Sequence, residues 1–504
     1  MRKRMIQPAA LFAALCLAAV LLAGCVQAPA ESSGESAAES SAAESSMPTA
    51  ELPSDDSSAP AETVSSAQAA GTTALPRPAG TTAQTKATTT RRVPGSSVQE
   101  TKATTSVMDA LAAAPRWKQK KFYLSTFNAT GQNQMEDVYR RALTANKEAG
   151  ITLVENSIMA TEDLETCMDI CEELELDFLA QDISRFSGMG TNYPKNNADT
   201  FYNVVEKYAK YKHMLGYFLW DEPDEANFKK YAAKQSMFVK LDPGSLCYGL
   251  LLPSYGAYAW DPKNMEDSAY RKYVDNFIAT CDPDVLSVDY YPLRRGNESL
   301  IETDLWRDIG YFRKRALETG KPLWFYFQAS KFEKELTDEQ IKVQMYAALA
   351  YGTAGLSYYT TSNILTDAKG NKTARFNALK TINTGVNHLG QLLFTQKAKA
   401  IYHTGLSAAL TKAYSLNTVG DADCPFVSAP DGLIVGTFTG SRGTTLVVVN
   451  KDYTRAVSGT LTLTAARAVQ SYDKAADKAK TLSAKTDRIA LSVPAGDCAV
   501  YFLG

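Results

Sequence analysis

From about residue 115 to 395, short apolar, β-branched or aromatic runs alternate with longer segments of amphipathic spacing, the pattern of repeated strand–helix units. Eight runs read as strands: 121–127, 151–156, 177–182, 214–220, 246–253, 285–291, 323–328 and 355–360. Helical patterns fall between them, among them 133–149, 162–174, 200–210, 225–240 and 337–351. Strands that are apolar almost throughout belong to parallel sheets covered by helices on both faces. Eight such units predict an α/β chain with a (β/α)8 TIM barrel over 115–395. An open doubly wound sheet fits less well, because no Gly-rich phosphate loop follows the first strand.

Past the barrel the pattern changes to short alternating runs at 433–438, 445–450, 458–464, 469–472, 488–493 and 499–503, separated by turns. They predict a small C-terminal antiparallel β-sandwich over 396–504. At the other end, a basic Met1-Arg-Lys-Arg start precedes an apolar segment from about Ala9 to Leu22, too short to span a bilayer comfortably. This reads as an export signal. Leu21-Leu22-Ala23-Gly24-Cys25 resembles a bacterial lipobox, which implies cleavage before Cys25 and lipid attachment to its thiol; a plain signal peptide is the alternative. Residues 26–114 are dominated by Ala, Ser, Thr, Glu and Pro. Such a segment cannot bury enough apolar surface to offset its ordering entropy, so a flexible tether is expected.

Charge narrows the partners. Lys plus Arg number 53 against 55 Asp plus Glu, a net of -2, and no long basic run occurs in the barrel or sandwich, which argues against nucleic acid. Of the eight cysteines, the six beyond Cys25 show no metal-ligand spacing, and neither a metal nor a cofactor is expected. Cys424 and Cys498 could pair, but free buried thiols fit better. None of the three histidines, His213, His388 and His403, sits at a predicted strand end, so Ser-His-Asp, Cys-His and multi-histidine zinc mechanisms fit poorly. Carboxylates remain.

The run from Met214 to Trp220 ends abruptly in Asp221-Glu222-Pro223. The C-terminal ends of parallel barrel strands are where such a fold keeps its chemistry. Reading those ends gives Glu155, Asp182, Asp221, Glu222, Asp289 and Gln328, all expected at one mouth. Trp220, Tyr255, Trp260, Tyr290, Tyr291, Trp324, Tyr326, Tyr358 and Tyr359 accompany them. Any single aromatic is better explained as core, but the mixture suits a carbohydrate cleft, where ring faces stack on sugar C–H faces and acids bond hydroxyls. Acids and a proline would equally suit a helix N-terminus, and Asp224 and Glu225 fit that reading. Arg185 and Arg294 are possible ion-pair partners for buried acids, and Glu333 and Glu335 could reach the cleft from a loop.

The barrel resembles the TIM-barrel glycoside hydrolase clan that includes β-galactosidases and cellulases, in which Asn-Glu or Asn-Glu-Pro ends strand four; here Asp221-Glu222-Pro223 stands there. The segment 344–359 likewise looks like the helix and eighth strand of β-galactosidase-like barrels. The resemblance implies that Glu222 is the acid/base and that Asp221 replaces the asparagine that bonds a substrate hydroxyl. It also implies that Tyr290 or Tyr291 is the tyrosine after strand six, and Tyr358 or Tyr359 the aromatic platform after strand eight. One departure is serious: the family's nucleophilic glutamate ends strand seven, where this chain has Gln328. Asp289, Asp182 or Glu155 could supply the second carboxylate, the reaction could be substrate-assisted, or the barrel could only bind. The expected catalytic pair is Glu222 and Asp289, with Glu155, Asp182, Trp220, Asp221, Tyr290, Tyr291, Trp324, Gln328, Tyr358 and Tyr359 contacting substrate. The chain is thus expected to be a membrane-anchored extracellular glycoside hydrolase-like protein cleaving O-glycosidic bonds. The alternative is a non-catalytic glycan-binding surface lipoprotein, and Gln328 is the feature that favours it.

Overall fold

The computed structural model describes residues 108–155, 161–180, 198–257 and 268–504. Cys25, Asp182, Arg185 and Trp260 lie outside the described residues. Residues 108–112 are helical and Met108 is buried in the main core, so the folded chain starts before the expected boundary at 115.

Eight parallel strands form the first sheet: β1 (Tyr123–Asn128), β2 (Leu153–Val154), β3 (Asp177–Ala180), β4 (Met214–Asp221), β5 (Leu246–Leu250), β6 (Leu286–Asp289), β7 (Leu323–Phe327) and β8 (Gly355–Thr360). Between and after them run α1 (Glu136–Glu148), α2 (Thr161–Glu173), α3 (Ala198–Tyr208), α4 (Phe228–Leu241), α5 (Ala269–Cys281), α6 (Asp304–Thr319), α7 (Asp338–Ala350) and α8 (Phe376–Phe394). The strand order is β5-β4-β3-β2-β1-β8-β7-β6. A parallel bridge between Leu251 and Val288, with the Leu251 N–H on the Ser287 carbonyl at 3.0 Å, joins the two ends and closes the barrel.

Side-chain alternation explains why these runs make a barrel. Tyr123, Leu153, Leu179, Phe218, Leu246, Tyr248, Trp324 and Tyr326 share one buried cluster inside it. Their neighbours Leu124, Val154, Phe178, Tyr217, Leu286, Phe325 and Leu356 pack in the outer layer with the helices, as when Tyr217 stacks on Phe238 of α4 at 4.0 Å. Aromatic rings fill the interior: Trp324 lies 5.6 Å from Tyr123 and 5.3 Å from Tyr248, centroid to centroid. Gly355 makes room for the indole, since a β-carbon there would come within 2.6 Å of it.

The helix ends follow their sequence signals. Thr337 and Gln340 form a capping box at the start of α7, and Gly320 closes α6 in the left-handed region at φ 68°. The expected helix 225–240 begins later. Asp224 caps a single turn, Glu225–Asn227, and α4 has no acidic residue in its first turn. The helix-dipole account therefore does not cover Asp221 and Glu222, which end β4.

The C-terminal region is one antiparallel sheet: β9 (Lys397–His403), β10 (Phe426–Ser428), β11 (Leu433–Gly440), β12 (Gly443–Asn450), β13 (Val457–Asp473), β14 (Lys478–Val493) and β15 (Cys498–Leu503). The runs expected at 458–464 and 469–472 are one strand, β13, whose register against β14 shifts between Thr462 and Gln470. Bulges bend a strand and increase its twist. The bent sheet encloses its own core, with Leu461 and Ile489 packed in one cluster with Val435 and Val448, which makes a sandwich from a continuous sheet. Its other face, including Ile434, Val447 and Phe502, joins the main core through α7. That helix is buried nearly all round, which is why its sequence lacks a polar stripe. All six cysteines beyond Cys25 are free and buried, so Cys424 and Cys498 do not pair.

Candidate active site

Strand β4 delivers two adjacent carboxylates at its end. The Glu222 N–H bonds the Leu250 carbonyl at 2.9 Å, continuing the ladder, while its backbone turns into the left-handed region at φ 50°. A non-glycine residue there carries backbone strain. The turn brings the Glu222 carboxyl within hydrogen-bonding reach of Asp289, the last residue of β6. Pro223 fixes the exit, its carbonyl accepting from the Tyr273 hydroxyl at 2.8 Å. Asp289 is only 3% exposed, and its Oδ1 has no hydrogen-bond partner.

Burial and mutual repulsion keep protons in this cluster. Burial raises the Glu222 carboxyl well above the usual carboxylate range, and the charge of Asp289 and the bond to it add to the effect. Burial also lifts Asp289 to about 7, aided by the charge of Asp221, while the bonds from Tyr291 and Glu222 oppose the rise. Asp221 is raised well above its ordinary value by burial and then by Glu222 and Glu155. Two acids this close share one proton over a wide pH range.

Beneath the pair lies a layer of hydroxyls that sequence reasoning missed. Glu155 is fully buried and accepts from Ser125 Oγ at 2.8 Å, Ser357 Oγ at 3.0 Å and the Tyr326 hydroxyl. The chain continues as Tyr248 donates to Tyr326 at 3.1 Å and sits 2.6 Å from Ser287 Oγ. Burial raises Glu155 to about 7, although all three hydroxyls favour its charged form. Glu155 is therefore occupied inside the barrel and acts on the site through its field on Asp221 rather than by touching substrate. The signal was present in Ser125 and Ser357, polar residues at inward positions of apolar strands.

Gln328 is a structural clamp. Its Nε2 donates to the Leu293 carbonyl at 3.0 Å, its Oε1 accepts the Leu293 N–H at 2.8 Å, and its backbone N–H is held by Gln344 Oε1 at 3.0 Å. An amide satisfies both a donor and an acceptor, which a carboxylate cannot. The side chain is fully buried, where the substrate contact expected of it is not available.

Several aromatics are corrected by the same alternation. Trp324 lies at the N-terminal end of the interior, donating Nε1 to Gln119 Oε1 at 2.9 Å. Trp220 packs in the outer layer with Lys234 Nζ 4.7 Å over its ring; β4 shifts register between Phe218 and Trp220, which turns the indole out and Asp221 in. Tyr290 is buried outside the barrel with its ring edge on Tyr255, and Tyr358 bonds Asn383 of α8 at 2.7 Å. Their successors face the mouth. Tyr291 and Tyr359 lie 5.3 Å apart and both meet Phe332, at 5.6 and 6.4 Å. Phe332, 39% exposed on the loop after β7, was not anticipated; a lone aromatic among Lys331, Glu333, Lys334 and Glu335 was its only signal. Arg294 does not pair with Asp289 but lies 4.1 Å over the Tyr255 ring, and Glu335 pairs with Lys331 at 3.1 Å on the surface.

Among the described residues no group of His, Cys, Asp and Glu is arranged to hold a metal ion. A cavity of about 700 Å³ lies at the opposite, N-terminal end of the barrel, lined by residues such as Lys121, Ile151, His388 and Asp477, away from the carboxyl pair.

No family model and no curated protein matches the chain. Among solved structures it is similar to a glycoside hydrolase family 5 protein from Bacteroides vulgatus ATCC 8482, at 12% identity and TM-score 0.46 over 78% of this chain and 92% of that one. An alpha-amylase from Geobacillus thermoleovorans, solved with acarbose, is similar at 13% identity and TM-score 0.43 over 77% of this chain and 99% of that one. An Anoxybacillus alpha-amylase follows at 11% identity and TM-score 0.41 over 76% and 98%.

Proposed function

We propose that the protein is a retaining glycoside hydrolase, with Glu222 as general acid/base and Asp289 as nucleophile. The observation that carries this reading is the facing pair of carboxyls, Glu222 just after β4 and Asp289 at the end of β6, close enough to interact directly. Retention needs carboxyl groups about 5 Å apart, whereas inversion needs roughly 6.5 to 9.5 Å so that water fits between them. Two carboxyls that interact directly lie nearer the first spacing than the second. In the first step the Asp289 carboxylate bonds the anomeric carbon as the glycosidic C–O bond breaks and Glu222 gives its proton to the leaving oxygen. In the second, the Glu222 carboxylate takes a proton from water, whose oxygen bonds the anomeric carbon and releases Asp289. Gln328, occupied by Leu293, no longer favours a barrel that only binds.

The reaction requires Asp289 ionised and Glu222 protonated. Asp289 is raised to about 7, so activity should fall as pH drops through about 7; Glu222, raised well above the usual carboxylate range, sets the alkaline limb. The test is a screen of aryl glycosides, with NMR of the first-formed anomer and a kcat/KM profile on any substrate cleaved. Retention with an acid limb near neutrality supports the assignment; inversion, or an optimum below about pH 5 where an acid of this pKa is protonated, refutes it.

The reading also includes a place of action, outside the cytoplasm and held to the membrane by a lipid on Cys25. It is supported by the basic start, the short apolar segment and the lipobox-like Leu21-Leu22-Ala23-Gly24-Cys25. Cys25→Ser should abolish labelling by a fatty-acid probe and move the protein from the membrane to the soluble fraction. Unchanged labelling removes the anchor.

A further inference from the structure

Arg294 is poised beside the site without an internal task. Among the described residues its guanidinium makes no ion pair; it is half-buried and lies 4.1 Å over the Tyr255 ring. The Tyr255 hydroxyl in turn accepts the N–H of Tyr291, two residues beyond Asp289. The preceding residue, Leu293, has both backbone groups fixed by Gln328, and the Arg294 carbonyl accepts the Glu333 N–H at 3.2 Å. That bond ties the loop after β6 to the loop that carries Phe332. On this side of the mouth, therefore, an exposed ring, its partners Tyr291 and Tyr359, and a guanidinium stand on clamped backbone.

We propose that this corner is a subsite for a sugar residue bearing a carboxylate, a uronic acid within an oligosaccharide; the proposal rests on the hydrolase reading above. The ring face of Phe332 covers an apolar sugar face, and the Arg294 fork bonds the carboxylate at the ring's edge. Stacking on Tyr255 and a fixed backbone mean that little side-chain freedom is lost on binding. A neutral sugar needs no such cation. An anionic one does, because the ionised Asp289 otherwise repels it.

The test uses the full chain carrying Glu222→Gln, so that binding is read without turnover. Affinities for polygalacturonate and glucuronoxylan are measured against the same polymers with their carboxyl groups reduced to alcohols, with dextran sulfate as a separate anion. The expected result is at least about tenfold tighter binding of a uronate polymer than of its reduced form, a preference that Arg294→Gln removes while leaving the reduced form bound as before. Phe332→Ala should weaken both forms. Equal affinity for charged and reduced polymers, a preference that survives Arg294→Gln, or a response to dextran sulfate alone overturns the proposal. Binding confined to neutral glycans sinks this inference and leaves the hydrolase reading standing; no binding to any glycan, with no turnover by the unmutated protein, sinks both.

Discussion

Asp289→Asn should lower turnover of activated aryl glycosides by at least about a thousandfold, the scale expected when a group acting in the transition state is lost. The fold should survive. Burial already raises Asp289 to about 7, so a neutral isostere removes an unfavourable charge and its repulsion with Glu222 and Asp221. Thermal stability near pH 8 should therefore be unchanged or higher, which separates a chemical loss from an unfolded one. Added azide should restore part of the rate by attacking the anomeric carbon directly, giving a glycosyl azide of inverted configuration. Glu222→Gln should behave differently: a loss of about a hundredfold or more on substrates whose leaving group needs a proton, and a much smaller one on acidic phenols. Wild-type rates in Asp289→Asn would remove the nucleophile assignment, and wild-type rates on unactivated glycosides in Glu222→Gln would remove the acid.

Gln328→Glu should cost stability rather than create a second catalytic acid. The substitution exchanges the amide that donates to the Leu293 and Ser330 carbonyls for an oxygen facing them, at a fully buried position. Leaving a buried charge without a partner costs about 3 to 5 kcal/mol, less if the new acid takes up a proton. The loss should grow with pH, because a raised folded-state pKa means stability is present at low pH and is lost as pH rises through it. Denaturant midpoints at pH 5 and pH 8 read this directly. Activity should fall with it, since Leu293 leads into the loop that carries Arg294. Gln328→Glu with undiminished stability and new retaining activity would show that the clamp is dispensable and that strand seven still addresses the substrate.

The barrel was legible because its signals are local. Apolar runs, amphipathic spacing, the Thr337 and Gln340 cap and the glycine after α6 each act over a few residues, and they add to eight units in order. The β-sandwich was legible in part: β9 and β10 were missed, and β13 was divided because its polar, bulged middle interrupts the alternation.

The site divides along the same line. By itself the sequence determined that carboxylates end β4 and β6, and that aromatic pairs stand after β6 and near the end of β8. Only the tertiary structure decided that Asp289 faces Glu222, that Tyr291 and Tyr359 rather than Tyr290 and Tyr358 turn to the mouth, and that Gln328 holds Leu293. The reason is physical. Alternation shows that neighbours point opposite ways but not which way each points, and a shift such as that before Trp220 resets the phase. Partners far apart in sequence meet only when the barrel closes, and burial then sets both the protons they hold and the hydrogen bonds an amide must complete.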